Sequence, residues 1–424
     1  MNNKSLAETK RCYHVQGGTP LRGRIQTEGM KNAVLPLMAA SLLTDEPLEL
    51  NNVPAVEDVH IMASMLTELG KKISITEDVY LIEENGNLQP NAPYELVRRM
   101  RASFNVLGPL LARLGQAKVP LPGGCILGPR PVDFHIKGLQ SLGAKIELQE
   151  GVFHAEAKQL KGTDLYLDFP SVGATMQLLS TAALIPEKTV IYNPAQEPEV
   201  YELIYLLKKM GANISIAPDR IEIIGQPKLN GASYRVIPDR INAGTYLIAG
   251  AISGGEIIVE CIPGHLEALL VKLREMGFAV EEHDTEVRLV ASGRAKGIHL
   301  ETRTYPGFAC DIHPQMMALM ALAEGDSLIR ETVLADRFGQ VPELIRMGAN
   351  IKAQENTAFI KGVEQLQGTE VYATDIRSGA ALILAGLAAK GETRMVDSGH
   401  VARGYVDLAG KLSKVGASIE VEYL

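Results

Sequence analysis

The sequence predicts an α/β protein of two globular lobes, each made of three similar helix–strand units. Three observations carry this. Six stretches share one pattern: LTELGKKISI, LQSLGAKIEL, LKKMGANISI, LREMGFAVEE, LIRMGANIKA and LSKVGASIEV. Their glycines, Gly70, Gly143, Gly211, Gly277, Gly348 and Gly416, lie 73, 68, 66, 71 and 68 residues apart. Helices and strands alternate between them, the order of an α/β protein. Finally, units of this size are too long for a solenoid, and 424 residues suit two lobes of three units.

Each repeated stretch reads as the end of an amphipathic helix, a glycine, then a strand. The glycine suits a left-handed residue just past the helix, and the polar–apolar alternation suits a strand with one buried face. Upstream, AASLLTDEPLELNNVPAVEDVHIMASMLTELG reads as helix, turn, strand, loop and second helix. AISGGEIIVECIPGHLEALLVKLREMG and LAEGDSLIRETVLADRFGQVPELIRMG repeat that order. In the second unit ELVRRMRASFNVLGPLLARLG is predicted as one helix and AKVPL as a strand. PLPGGCILGPRP follows as a loop, and VDFHIKGLQSLG as the next helix.

Composition narrows the function classes. Hydrophobic residues make up 46% and charged residues 22%, as in a globular protein with a large core. Aromatics are only 5% and Trp is absent, which argues against base or sugar stacking as the main recognition device. The net charge of −8 argues against nucleic acid as a partner. No apolar run approaches the roughly 18 residues of a membrane span. The polar start, MNNKSLAETKRCYHV, lacks the apolar core of a signal peptide. Four scattered cysteines, Cys12, Cys125, Cys261 and Cys310, form no C-x-x-C pair. A reducing cytoplasm with free thiols is therefore expected.

Several residues stand where chemistry is done. Cys125 sits in PLPGGCILGPRP, on a loop stiffened by prolines, hinged by glycines and followed by Arg130. A cation and open backbone N–H groups would favour its thiolate; an inert surface cysteine is the alternative. Arg101, Arg337, Arg377 and Arg403 lie at element edges, where guanidinium forks match phosphate or carboxylate, or form structural ion pairs. Lys31-Asn32 opens an apolar helix, a place that favours an anion. Asp311, in YPGFACDIHPQ, precedes a helical run and reads as an N-cap or a base. Cys310 and His313 beside it match no standard zinc spacing. No phosphate-binding glycine loop or dinucleotide fingerprint is present.

Taken in order, a set of motifs resembles the enolpyruvyl transferase family over about residues 13 to 424. The motifs are GMKNAVLPLMAASLL, MRASFNVLGPLLARLG with LPGGCILGPRPVDFHIKGL, DFPSVGAT, PDRINAGT, GFACDIHPQ, ETVLADRF, TDIRSGAALILAG and ARGY. The resemblance implies a two-lobed inside-out α/β barrel of six βαβαββ repeats. It places residues 1–21 and 239–424 in a C-terminal lobe that includes the N-terminal strand. Residues 22–238 form an N-terminal lobe carrying the Cys125 loop, with crossovers near 22–30 and 238–242.

It further implies transfer of the enolpyruvyl group of phosphoenolpyruvate to the 3′-hydroxyl of UDP-N-acetylglucosamine, with release of phosphate, in peptidoglycan precursor synthesis. Cys125 matches the acid at C3 of phosphoenolpyruvate, on a loop that closes over the nucleotide sugar. Asp311 matches the base for the sugar hydroxyl. Lys31, Arg130 and Arg403 match phosphate-side cations, and Arg337 and Arg377 carboxylate-side or positioning arginines. Arg101 supports the nucleotide site, and Asn32, Ser171, Val172, Gly173 and Val333 match contacts to the nucleotide sugar. Neither metal nor organic cofactor is implied.

Some neighbours depart from the family pattern. After Thr27, Ser-Gly-Ala-Lys-Asn reads Glu28-Gly29-Met30-Lys31-Asn32, and Phe-Pro-Thr-Asp-Met-Gln reads Phe308-Ala309-Cys310-Asp311-Ile312-His313. An acidic residue often found after PDRI is Asn242, and the aspartate before Arg403 is Ala402. Two alternatives therefore stand beside the main reading: enolpyruvyl transfer to another nucleotide sugar, and a non-catalytic copy that binds a UDP-sugar.

Overall fold

A computed structural model describes residues 10–123, 132–334 and 337–424. Among these, the chain divides into two compact units: residues 10–28 with 238–424, and residues 29–237. The first unit reaches past residue 21 as far as 28, because strand Arg22–Ile25 runs parallel to Glu256–Glu260. Strand Arg11–Gln16 lies between Glu392–Asp397 and Ser418–Tyr423, antiparallel to both.

The repeat is visible in the sheets. Five sheets of four strands each hold two antiparallel ladders and one parallel edge. The sixth, Gln116–Pro120 with Val152–Glu156 and Lys145–Gln149, has three strands and gains its parallel edge from the bridge Asn91–Lys118. The six repeat glycines all have positive φ, from 96° to 110°. That left-handed turn is open to glycine at little cost, and it reverses each helix into its strand.

Helices fill the inside of each unit. In the unit of residues 29–237 they are α1 (Lys31–Ala40), α2 (Leu107–Leu114) and α3 (Val172–Ala182). In the other they are α4 (Arg240–Ile252), α5 (His313–Met320) and α6 (Ile376–Ala388). Every residue of α4 and α5 is buried. Helices apolar on all sides belong in a core, and α4, α5 and α6 pack on one another there.

The single helix expected over ELVRRMRASFNVLGPLLARLG is broken. Tyr94–Val97 is helical, Met100 is extended, Arg101–Val106 is a 3₁₀ segment, and α2 starts only at Leu107. Pro109 accounts for the late start: its ring would clash with the carbonyl of Asn105 in a continuous helix, yet it is tolerated in a first turn.

Candidate active site

In the unit of residues 10–28 and 238–424, the site grows from three helix starts. Asp239 caps α4, accepting from the N–H groups of Ile241 at 2.8 Å and Asn242 at 3.2 Å. Asp375 caps α6, accepting from Arg377 at 2.8 Å and Ser378 at 3.1 Å. These caps satisfy orphan donors and fix Asn242 and Arg377 in first turns. The third helix, α5, opens with His313-Pro314, and no side chain caps it. Asp311 is therefore not the N-cap that its position suggested. Proline starts the helix two residues later and leaves the Asp311 carboxylate to other partners.

Those partners are arginines. Asp311 Oδ1 lies 2.6 Å from Arg337 Nη2, and Oδ2 lies 3.4 Å from Arg377 Nη2. The two arginine side chains are each only 4% exposed, whereas that of Asp311 is 26% exposed. A carboxylate open on one side is thus braced by two buried cations. Burial opposes the charge on Arg337, but Asp311, Cys310 and Asp375 outweigh it and raise its pKa. Burial likewise opposes Arg377, while Tyr405, Asp311 and Asp239 raise it. Arg337 also donates through Nη1 to Cys310 Sγ at 3.5 Å.

Arg337 is held by its main chain as well. The buried ring of His313 bridges Glu331 Oε2 at 2.8 Å and the Arg337 carbonyl at 2.9 Å. Glu331 Oε1 accepts from Thr302 Oγ1 at 2.8 Å and from the N–H groups of Val333 at 2.7 Å and Leu334 at 2.9 Å. Burial pushes the Glu331 carboxyl up, but these donors and His313 hold it below its usual value. One carboxylate thus links Val333, His313 and Arg337. His313, weighed as a metal ligand, is a structural bridge.

The other unit carries Lys31, Asn32, Arg101, Ser171, Val172 and Gly173. Lys31, the first residue of α1, is buried with Nζ 3.1 Å from Asp58 Oδ2. Gly29 lies just before it, where an added Cβ would fall 1.7 Å from the Asn52 carbonyl. Arg101 opens the 3₁₀ segment that packs against α1 and α3. Ser171 caps α3, its Oγ accepting from Ala174 N–H at 3.4 Å. His135 joins the 3₁₀ segment to α3, its ring packing edge-on against Phe104. Its Nδ1 donates to Gln177 Oε1, and a Cβ at Gly173 would lie 3.1 Å from its ring. Burial pushes its pKa down to about 4, and the charge of Arg101 adds to that.

Cys125 and Arg130 lie outside the described residues. Among the described residues, no helix is long and apolar enough to cross a membrane. None of their His, Cys, Asp and Glu side chains gather in a group of three or more that could hold a metal ion. Among the residues that organise the site, sequence reasoning passed over Asp239, Asp375, Glu28, His135 and Glu331. Glu331 had a usable signal, an acidic residue in RETV two positions before Val333. His135 had a weaker one, a histidine in the helix after the cysteine loop. Glu28 had none beyond its departure from the family motif.

The comparisons agree with this architecture. The sequence model of the family described as EPSP synthase (3-phosphoshikimate 1-carboxyvinyltransferase) matches residues 15–412. The chain is 46% identical over 419 residues to UDP-N-acetylglucosamine 1-carboxyvinyltransferase 1 of Caldanaerobacter subterraneus, covering 97% of this chain and 99% of that protein. It is 47% identical over 412 residues to the protein of the same name from Staphylococcus aureus strain MRSA252, covering 96% and 98%. Among solved structures, the enolpyruvyl transferase NikO from Streptomyces tendae superposes with a TM-score of 0.88 at 25% identity, covering 98% of this chain and all of that one. EPSP synthase from Acinetobacter baumannii shares the fold, with a TM-score of 0.75 at 18% identity over 97% of this chain and all of that one. With its six-sheet plan and a family match along nearly its whole length, the chain belongs to the EPSP synthase family of enolpyruvyl transferases.

Proposed function

We propose that the protein transfers the enolpyruvyl group of phosphoenolpyruvate to the 3′-hydroxyl of UDP-N-acetylglucosamine and releases phosphate, in peptidoglycan precursor synthesis. The observation that carries this reading is Asp311, a part-exposed carboxylate between two buried guanidinium groups. The names of the relatives at 46–47% identity support the substrates.

The reaction sets clear demands. C3 of phosphoenolpyruvate takes a proton, which makes C2 electrophilic. The sugar hydroxyl attacks C2 and loses its proton. The bond from C2 to the phosphate oxygen then breaks, and C3 gives its proton back. Cys125 is the acid at C3, and Asp311 accepts the hydroxyl proton. Lys31, Arg130 and Arg403 neutralise the phosphate, and Arg337 and Arg377 face the carboxylate. Asn32, Arg101, Ser171, Val172, Gly173 and Val333 hold the nucleotide sugar. Cations already fixed by burial, as Arg337 and Arg377 are, need no reorganisation when charge develops.

The test is phosphate release by the purified protein. Release that requires both phosphoenolpyruvate and UDP-N-acetylglucosamine supports the reading. Release only with another UDP-sugar would replace the acceptor. Binding of UDP-N-acetylglucosamine with no release under any acceptor would make the chain a binding protein.

A further inference from the structure

Glu28 and Asn242 take no part in the steps above, yet both are built into the site. Asn242 is 1% exposed, and its amide meets three partners. Nδ2 donates to Glu28 Oε1 at 2.9 Å and to the Gly404 carbonyl at 3.0 Å. Oδ1 accepts from Arg377 Nη1 at 3.4 Å. Two acceptors on one side and a donor on the other allow the amide a single orientation. Glu28 is itself fixed. Its carboxylate accepts from the Tyr246 hydroxyl at 3.2 Å, from Val406 N–H at 3.4 Å and from the Lys411 ammonium.

We infer that Glu28 and Asn242 form a positioning relay for Arg377 and for the turn that carries Arg403. The Glu28 carboxylate orients the Asn242 amide. The amide holds one Nη of Arg377 while Asp311 takes the other, and it anchors Gly404, the residue after Arg403. The chemistry explains why an amide stands in the middle. A carboxylate at position 242 would grip Arg377 more strongly, but in this chain it would face the like charge of Glu28 and repel the Gly404 carbonyl. An amide passes on orientation and leaves the guanidinium charge for a substrate anion. The negative charge sits one side chain further back, on Glu28, where Lys411 balances it.

The kinetic consequence rests on the proposed reaction; the geometric one does not, so two readouts are needed. In Glu28→Gln, KM for phosphoenolpyruvate is expected to rise about tenfold, the scale of one charge-assisted hydrogen bond. KM for UDP-N-acetylglucosamine stays within about twofold, because only the arginine side is disturbed. The double variant Glu28→Gln/Asn242→Ala is no worse than Asn242→Ala alone, since Glu28 acts through Asn242. Independently of turnover, phenylglyoxal labelling of Arg377, mapped by peptide mass spectrometry, is several-fold faster in Glu28→Gln than in wild type. Unchanged labelling, or penalties that multiply in the double variant, overturns the relay. If wild type releases no phosphate, the proposed function fails and the labelling still decides the relay. Tyr246→Phe, which removes one donor to Glu28 and keeps the carboxylate, is the milder variant should Glu28→Gln not fold. It is expected to speed labelling to a lesser degree, and wild-type labelling in it overturns the proposal.

Discussion

Asp311 lies closer to Arg337 than to Arg377, at 2.6 Å against 3.4 Å, although both guanidinium groups are buried. The asymmetry follows from how each arginine is tied. Arg337 is pinned at its carbonyl by His313, two residues from Asp311 in the same turn. Arg377 is shared with Asn242 and lies over the Tyr405 ring at 5.4 Å. Arg337 thus makes the closer ion pair with the carboxylate, while Arg377 divides its guanidinium among Asp311, Asn242 and the Tyr405 ring.

For Asp311→Asn this means loss of chemistry more than loss of binding. An amide of the same shape cannot take a proton from the sugar hydroxyl. Turnover is expected to fall by about two to four orders of magnitude, the usual worth of a general base. Calorimetric affinity for UDP-N-acetylglucosamine should change little. A variant that keeps wild-type phosphate release would remove Asp311 from its role as base.

His313→Ala tests the bridge behind the arginines. It leaves Glu331 Oε2 in a buried space without its partner, at a cost of about 2–4 kcal/mol. Urea denaturation should show that loss. Because Glu331 also holds the Val333 N–H, KM for UDP-N-acetylglucosamine should rise together with it. A single Gln side chain cannot span both the carboxylate and the Arg337 carbonyl, so His313→Gln is expected to restore only part. Full stability in His313→Ala would show that the bridge carries nothing.

How far the sequence revealed these features depends on their range. The six glycines were legible because a positive φ after a helix is a local demand, and Gly70 and Gly416 meet it alike at 100° and 108°. Asp239 and Asp375 follow ordinary cap chemistry too, a local signal that the sequence reading did not use. Asp311 misled through the same signal: it occupies a plausible cap position, but Pro314 sets the start of α5. The helix expected over residues 95–115 failed because one proline outweighs an apolar run. Pairs such as Glu28 with Asn242, or His313 with Glu331, join residues far apart in the chain, and no local pattern marks them.

The cysteines separate by environment. Cys12 and Cys261 are buried; burial raises both thiols, Cys261 to about 12. Cys310 is part-exposed beside the Arg337 guanidinium. With UDP-N-acetylglucosamine bound, iodoacetamide should therefore modify Cys125 first, Cys310 more slowly, and Cys12 and Cys261 least, as read by mapped adducts. Cys125→Ser should lower turnover by about a hundredfold or more, because a hydroxyl is a far weaker acid. Equal labelling of Cys125 and Cys12, or full activity of Cys125→Ser, would take the thiol out of the mechanism.

His135 makes the unit of residues 29–237 sensitive to mild acid. Burial holds its pKa at about 4, against 6.5 for an ordinary histidine. Between those two values the unfolded chain binds a proton that the folded ring refuses. Stability from this group is complete above 6.5, declines as pH falls through the window and is fully lost below about 4. The size is on the order of 3 kcal/mol, at 1.36 kcal/mol per pH unit. Glu331 works in a lower range: its depressed carboxyl begins to cost stability only beneath 4.5. Urea denaturation of wild type and His135→Gln from about pH 7.5 to about pH 4.5 isolates the histidine. Glutamine does not titrate, so the wild-type stability should fall relative to the variant across that range. Parallel pH profiles would mean that the ring is protonated in the folded protein, and the neutral contact with Gly173 would have to be abandoned.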